Sequence, residues 1–278
     1  MSAFVIARLT FQEAARRRIL LAALSLGILF LIVFGVGLNF IVQEMNEAAR
    51  GPRALQQNEI FSFLLMAGLY VVNFLTIMMT VLTSVDTLSG EIASGTVHTL
   101  MTKPVRRWEI VLGKWLGFGI MLGLYLLLMG GGVMVLVYGF TGYTAPNALT
   151  GLSLMLLNSL LLLGVSLFGG SVLSTLANGV LVFGLYGVAF VGGWIEHIGS
   201  LLGNETALNI GIIASLLLPS EALWRRAVHE MQSPLIAAIG VSPFSSSSVP
   251  SPLMVGYAGL YAIVVLLLAI RAFSQRDL

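Results

Sequence analysis

Long apolar runs alternate with short polar stretches along the chain, and six runs are long enough to cross a bilayer as helices. A helix rises about 1.5 Å per residue, so roughly 20 apolar residues cover a hydrocarbon core about 30 Å thick. Lipid offers no partner to backbone polar groups, so each run must satisfy its own hydrogen bonds as a helix. The pattern predicts an all-α integral membrane protein, one transmembrane domain over 1–278, with spans at Ile19–Val42, Ile60–Leu82, Trp115–Tyr138, Leu149–Leu173, about Val180 to Ile195, and Leu253–Phe273.

Composition supports this reading and excludes several classes of protein. The chain is 58% hydrophobic and 9% charged, whereas soluble domains carry about 25% charged residues. It has no cysteine, which excludes disulfides and thiolate metal sites. A net charge of +2 gives no reason to expect a nucleic-acid partner.

The N-terminal segment 1–18 has an amphipathic pattern that predicts a helix lying in the membrane interface. The pattern also allows a helix that extends the first span into water. The apolar positions are Phe4, Val5, Leu9 and Phe11, and the polar ones are Arg8, Gln12, Glu13 and Arg16.

The segment 83–114 has the densest charge in the chain and lies between the second and third spans. A charged side chain in the bilayer centre costs about 2.5–3.5 kcal/mol on insertion scales, so this segment must be a water-exposed loop. Pro104 separates a short helix near Glu91 from a second one that begins near Val105. The pattern is typical of a docking element for a soluble partner.

The segment 196–252 is harder to assign. Its apolar run Ala207–Leu218 is too short to cross the membrane and is typical of a re-entrant or interfacial piece. Ser220–Met231 is predicted as an interfacial helix with Ser220 as N-cap. Its spacing predicts two i,i+4 ion pairs, Glu221–Arg225 and Arg226–Glu230, on the side opposite an apolar face that includes Trp224.

The distribution of basic residues predicts the orientation. With six spans, ten of the 14 lysines and arginines lie on the side of both termini, and four lie on the other side. The positive-inside rule then places both termini and the segment 83–114 in the cytoplasm, and 196–252 outside the inner (plasma) membrane.

No motif indicates an enzyme. Gly113-Lys114 is followed by Trp115, so the P-loop pattern fails and the chain has no ATPase motif of its own. The three histidines lack the spacing of a metal site.

Polar residues inside the predicted spans are few and mostly amides: Asn39, Asn73 and Asn158. A secondary transporter normally carries carboxylates or arginines in mid-span. Here Asp86 and Glu196 lie at the ends of predicted spans. This disfavours an ion-coupled secondary carrier, which remains the alternative, along with a non-transporting membrane anchor for a soluble complex.

The segment 83–114 resembles the signature of the ABC transporter type-2 permease family. The residues that carry the resemblance are Glu91, Gly95, Thr96, Leu100, Pro104, Arg107, Ile110, Gly113 and Lys114. In that family this loop carries the helix that contacts the ATPase subunit. The resemblance therefore implies that these residues, apart from Ile110, form an ATPase-coupling site.

The resemblance also implies partners and a mechanism. Two permease subunits, identical or related, would pair with two cassette ATPase subunits, which bind the ATP and Mg²⁺, whereas this chain needs no cofactor. ATP hydrolysis would drive export or transmit force. The segment 196–252 would form an extracytoplasmic gate or contact an external partner, with Pro219, Trp224, Arg225, Arg226 and Glu230 as its key residues.

Overall fold

A computed structural model describes residues 3–16, 18–48, 54–95, 106–233 and 249–276. These residues form helices joined by short turns, with no strand among them. The helices are α1 (Ala3–Arg16), α2 (Arg18–Ala48), α3 (Ala54–Ser84), α4 (Ser89–Ala93), α5 (Arg107–Thr141), α6 (Ala148–Val172), α7 (Thr175–Leu202), α8 (Glu205–Leu217), α9 (Ser220–Met231) and α10 (Pro252–Gln275).

Six of these helices, α2, α3, α5, α6, α7 and α10, are long and apolar enough to cross a membrane. The prediction of an all-α protein with six candidate spans is confirmed. Counting the bent pair α8 and α9 as one broken span would give a seventh. Most of these helices run past their predicted limits, and α5 and α7 do so by the most. Helix α5 already begins at Arg107, so the second helix of the loop is continuous with the third span, and α7 continues to Leu202.

Helix α6 is the centre of the bundle and packs against α3, α5, α7, α9 and α10. Within its most apolar 18 residues, 67% are buried inside the protein, compared with 11% in α2. Consecutive leucines Leu161, Leu162 and Leu163 are fully buried, which requires protein neighbours on all sides of the helix. A displacement of α6 would therefore shift most of the helices that pack against it.

Helix α1 runs beside the start of α5, in the same direction, at a distance that only glycine permits. A Cβ on Gly113 would lie 2.6 Å from Ile6 Cβ, and one on Gly117 would lie 2.6 Å from the Ala7 carbonyl oxygen. Small residues let two helices approach closely. The side of α1 that faces α5 includes Ile6, Ala7 and Thr10, which pack on the two glycines of α5, while Phe4 is 78% exposed. The interfacial position of α1 stays a prediction.

Helices α7 and α8 form a close hairpin, also through small residues. Added Cβ atoms on Gly192, Gly199 and Gly211 would overlap Ala214, Ala207 and Glu196 of the opposite helix. The chain then bends by 103° between α8 and α9, at Leu218 and Pro219, which precede the first residue of α9. The bend directs α9 back against α6.

Candidate functional site

The first cluster of predicted residues lies at the end of the bundle that holds the turn after α3, the start of α5 and the end of α10. We call it the Lys114 end. Lys114 forms an ion pair with Glu91 of α4, with side-chain exposures of 5% and 16%. The pair joins α4 to α5 through residues that are 23 positions apart in sequence. Because breaking a buried pair leaves an uncompensated charge, this contact strongly restrains α4 relative to α5.

Arg107 joins the start of α5 to the end of α10. Its Nη1 donates to the carbonyl oxygens of Ser274 and Arg276 at 2.9 and 2.6 Å. Arg276 in turn donates from Nη1 to the carbonyl oxygen of Ser171 at 2.6 Å. These bonds satisfy carbonyls at the ends of α10 and α6, which have no partner inside their own helices. Arg107 thus acts inside the chain and does not contact Glu91.

The other predicted coupling residues divide into described and undescribed ones. Gly95 ends the turn after α4 with a left-handed φ of 70°, a conformation that favours glycine. Gly113 contacts Ile6 of α1. Three residues of the predicted set, Thr96, Leu100 and Pro104, lie outside the described residues.

Asn178, which was not among the predicted site residues, connects several elements of the Lys114 end. It is fully buried, and its Nδ2 donates to the carbonyl oxygens of Val85 at 3.0 Å and Ser166 at 2.9 Å. One amide therefore joins α7 to the turn after α3 and to α6. In the sequence, Asn178 lies in the polar stretch Ser174–Gly179, which predicts only a short polar turn between the fourth and fifth spans.

Hydroxyl groups extend this network towards α4. Thr175 at the start of α7 donates to Asp86 Oδ1 at 3.1 Å. The hydroxyls of Thr175 and Ser89, the first residue of α4, are 2.8 Å apart. Helix α4 is therefore held on two sides, by the ion pair to α5 and by hydrogen bonds to the α6–α7 turn.

The second cluster lies at the opposite end of the bundle, around α9, and we call it the Arg225 end. Trp224 is 3% exposed and its ring lies 5.6 Å from that of Tyr70. Met231 packs at Gly151 of α6, where a Cβ would overlap its side chain. The apolar face of α9 was predicted correctly, but it contacts protein.

The charged side of α9 differs from its prediction in the first two turns. Arg225 pairs with Glu196 of α7 at 2.8 Å, and both are buried. The predicted Glu221–Arg225 pair is wrong, because the hairpin brings the Glu196 carboxylate to the guanidinium. Glu221, predicted on the side opposite the apolar face of an interfacial helix, is instead 9% exposed and lies inside the bundle. Glu196 lies within α7 and not at the end of the span.

The predicted serine cap is wrong as well. Pro219 is the residue that precedes the helix, and Ser220 is its first helical residue. The buried Ser220 hydroxyl has no partner among the described residues.

The last turn of α9 follows the prediction. Arg226 and Glu230 form the expected i,i+4 pair at 2.6 Å. Arg226 also donates to the Pro250 carbonyl oxygen at 3.3 Å, and Asn147 donates to Glu230 at 3.3 Å. These bonds fix the end of α9 to the segment before α10 and to the start of α6.

The comparisons with known proteins agree with this architecture. A family model described as ABC-2 family transporter protein matches residues 4–278. No individual curated protein matches the chain significantly. The match covers all six candidate spans and both clusters, so the chain belongs to the ABC-2 family of transporter permeases, whose members are membrane subunits and not themselves ATPases.

Proposed function

We propose that this chain is the membrane subunit of an ATP-driven complex and that cassette ATPase subunits dock on its Lys114 end. The family implies association with an ATPase subunit. In the proposed assembly two ATPases bind ATP and Mg²⁺ and work on two permease subunits, this chain and an identical or related one. The excess of lysine and arginine on the side of the termini supports a cytoplasmic Lys114 end in an inner (plasma) membrane.

One observation carries the proposal: α4, the short helix of the predicted coupling loop, is fastened to the spans. The Glu91–Lys114 pair holds it to α5, and the Ser89–Thr175 contact holds it to the α6–α7 turn. A push from a docked ATPase on α4 would therefore displace several spans together. A loop that only marked topology or bound lipid headgroups would need no such internal bonds.

Helix α6 supports transmission to the far end. Its 25 residues span about 37 Å at about 1.5 Å per residue. The Ser166 and Ser171 carbonyls contact the Lys114-end network at one end, and Gly151 contacts Met231 of α9 at the other. We infer that α9 acts as the extracytoplasmic gate, because a displaced α6 would move it.

The test of this proposal uses a charge swap between the two paired residues. Glu91→Lys places two cations together at a part-buried site and should abolish stimulation of ATP hydrolysis in the reconstituted complex. Adding Lys114→Glu restores an opposite pair and should recover most of the stimulation. Glu205→Lys, an exposed position at the other end of the bundle, is the matched control and should have no effect.

Monodisperse elution of each variant in detergent shows that the chain has folded. A folded Glu91→Lys variant with full stimulation would overturn the coupling role of α4. Failure of the folded double variant to recover would show that Glu91 does not act through Lys114.

A further inference from the structure

The contact between α7 and α9 buries two carboxyl groups beside one guanidinium. Glu196, Arg225 and Glu221 are 4%, 7% and 9% exposed. Glu221 lies against α7 at Gly193, where an added Cβ would be 2.2 Å from its Cγ. Arg225 pairs with Glu196, about one turn further along α7. The three side chains therefore occupy neighbouring positions along a single helix contact.

Hydrogen bonding within this group is incomplete. Arg225 donates from Nη2 to Glu196 Oε2 at 2.8 Å, and the same nitrogen lies 3.5 Å from the Ser215 hydroxyl. The Nε and Nη1 atoms of Arg225 are buried and have no partner among the described residues. Glu221 has the i,i+4 spacing that lets two side chains of a helix meet, yet no hydrogen bond or ion pair joins it to Arg225. The two donors and this carboxyl group are therefore close together but unbonded.

A proton on Glu221 accounts for this arrangement. A buried carboxylate is costly unless it is paired, and Arg225 already pairs with Glu196. A protonated Glu221 removes the extra negative charge, so the three side chains together become neutral. Burial, opposed in part by the charge of Arg225, raises the pKa of Glu221 from its ordinary value of 4.5 to about 7.

The helices that pack against α9 add no lysine or arginine close to Glu221 within the described ranges. Helix α6 has no titratable residue, α8 has only Glu205 in its first turn, and the arginine of α10, Arg271, lies towards the Lys114 end. Arg226 of α9 itself pairs with Glu230. The other titratable groups on these helices at this end are Glu59 and Tyr70 of α3, Tyr186 and His197 of α7, His229 of α9, and Tyr257 and Tyr261 of α10. Arg225 is therefore the cation available to both buried carboxyl groups.

We propose that Glu221 is a proton-binding site and that loss of its proton changes the partner of Arg225. With the proton bound, Arg225 is held by Glu196, and α9 is fixed to α7. When the proton leaves to solvent, the Glu221 carboxylate can accept from Nε and Nη1 of Arg225, so it competes with Glu196 for the guanidinium. The bond between α9 and α7 weakens, and the Arg225 end loosens as the pH rises.

The direction of the pH dependence follows from the raised pKa. Between about pH 4.5 and about pH 7, the folded chain keeps a proton on Glu221 that the unfolded chain has lost. The stability contributed by this site is therefore complete below about pH 4.5, declines as the pH rises, and levels off above about pH 7. Glu221→Gln has nearly the shape of the protonated side chain but cannot ionise, so it should lack this decline.

The experiment uses the purified full-length chain in detergent, so it depends neither on an ATPase nor on the proposed function. Infrared spectroscopy follows the C=O band of a protonated carboxylic acid during a pH titration. A denaturation series and hydrogen exchange of the α9 amides are then compared at about pH 5.5 and about pH 8.5, on either side of the titration. The variants are Glu221→Gln and Glu221→Asp, with Glu205→Gln as the control that removes an exposed carboxylate.

In the wild type and in Glu205→Gln, we expect a carboxylic acid band that disappears through about pH 7. The band should be absent in Glu221→Gln and shifted in Glu221→Asp. The folding equilibrium constant of the wild type, relative to that of Glu221→Gln, should fall by roughly 10-fold or more between the two pH values. The α9 amides should exchange several-fold faster in the wild type than in Glu221→Gln at the higher pH, and at equal rates at the lower pH.

A missing band, or one that persists in Glu221→Gln, would overturn the proton site. If Glu221→Gln does not fold, Glu221→Asp decides, because an unshifted band would belong to another residue. Equal α9 exchange in the wild type and Glu221→Gln at the higher pH would overturn the change of partner at Arg225. A failed charge swap at Glu91 and Lys114, with this titration intact, would count against ATPase coupling alone.

Discussion

Asn178 offers the sharpest test of how the Lys114 end is held together. Asn178→Ala removes the two hydrogen bonds from Nδ2 to the Val85 and Ser166 carbonyls. The Val85 carbonyl keeps another donor, the Ser89 hydroxyl at 2.9 Å, so the loss is close to that of the two bonds. At about 0.5–1.5 kcal/mol each, the free energy of unfolding should fall by about 1–3 kcal/mol.

The assay has one readout for stability and one for coupling. A loss of this size lowers the unfolding midpoint in detergent by about 2–12 °C on the scale of soluble domains of similar length. Among the described residues, Asn178→Ala would also leave α7 tied to the turn after α3 only by the weaker, more exposed Thr175–Asp86 hydrogen bond. The complex should therefore still hydrolyse ATP but transport less substrate, or do less work, per ATP. Asn39→Ala is the control, since within the described part of the chain the Asn39 side chain has only one hydrogen bond, accepted from Gln43 of the same helix at 3.3 Å.

A wild-type midpoint for Asn178→Ala would refute the energetic reasoning. A lowered midpoint with unchanged work per ATP would show that Asn178 is structural only and does not transmit movement.

Two further predictions concern orientation and the buried pair. Cysteines substituted singly at Ser94 and Ser251 in this cysteine-free chain should label from opposite sides of the membrane with an impermeant maleimide, and labelling from one side would contradict the six-span topology. Arg225→Ala should lower the free energy of unfolding by about 3–5 kcal/mol because it leaves the Glu196 carboxylate buried without this cation. Glu230→Ala, at the more exposed pair, should cost about 1 kcal/mol or less, and equal losses in a denaturation series would contradict the assigned burial.

The spans were readable from the sequence because lipid imposes one rule on every helix that crosses it. A long apolar run bounded by charged residues has few alternatives to a membrane-crossing helix. The six candidate spans were therefore predicted correctly, and only their ends were misplaced. The fifth span illustrates the error. Glu196 reads as the end of an apolar run, yet α7 continues past it because a protein partner, Arg225, replaces water.

Ion pairs were harder to predict because spacing along one helix cannot reveal a neighbour from another. Arg226 and Glu230 pair as expected, but Arg225 takes the carboxylate of α7, not that of Glu221 one turn away. The same limit applies at the Lys114 end. Glu91 and Lys114 were recognised as important through a resemblance, and their contact with each other depends on the fold.

Asn178 was missed for a related reason. A polar stretch between two spans usually marks a water-exposed turn, and composition alone does not reveal that one amide points inward. The apolar face of α9 was correct in its residues, but periodicity cannot distinguish a face that packs on lipid from one that packs on protein.

The central claim is that a cassette ATPase docks on the Lys114 end, and site-specific photocrosslinking tests it most directly. A benzophenone amino acid at Ser94, exposed at the end of α4, is compared with one at Thr144, exposed at the opposite end of the bundle. With its co-expressed cassette ATPase in native membranes, we expect an ATPase crosslink from position 94 and none from position 144. A crosslink from position 144 alone, or from neither position in an intact complex, would contradict the account.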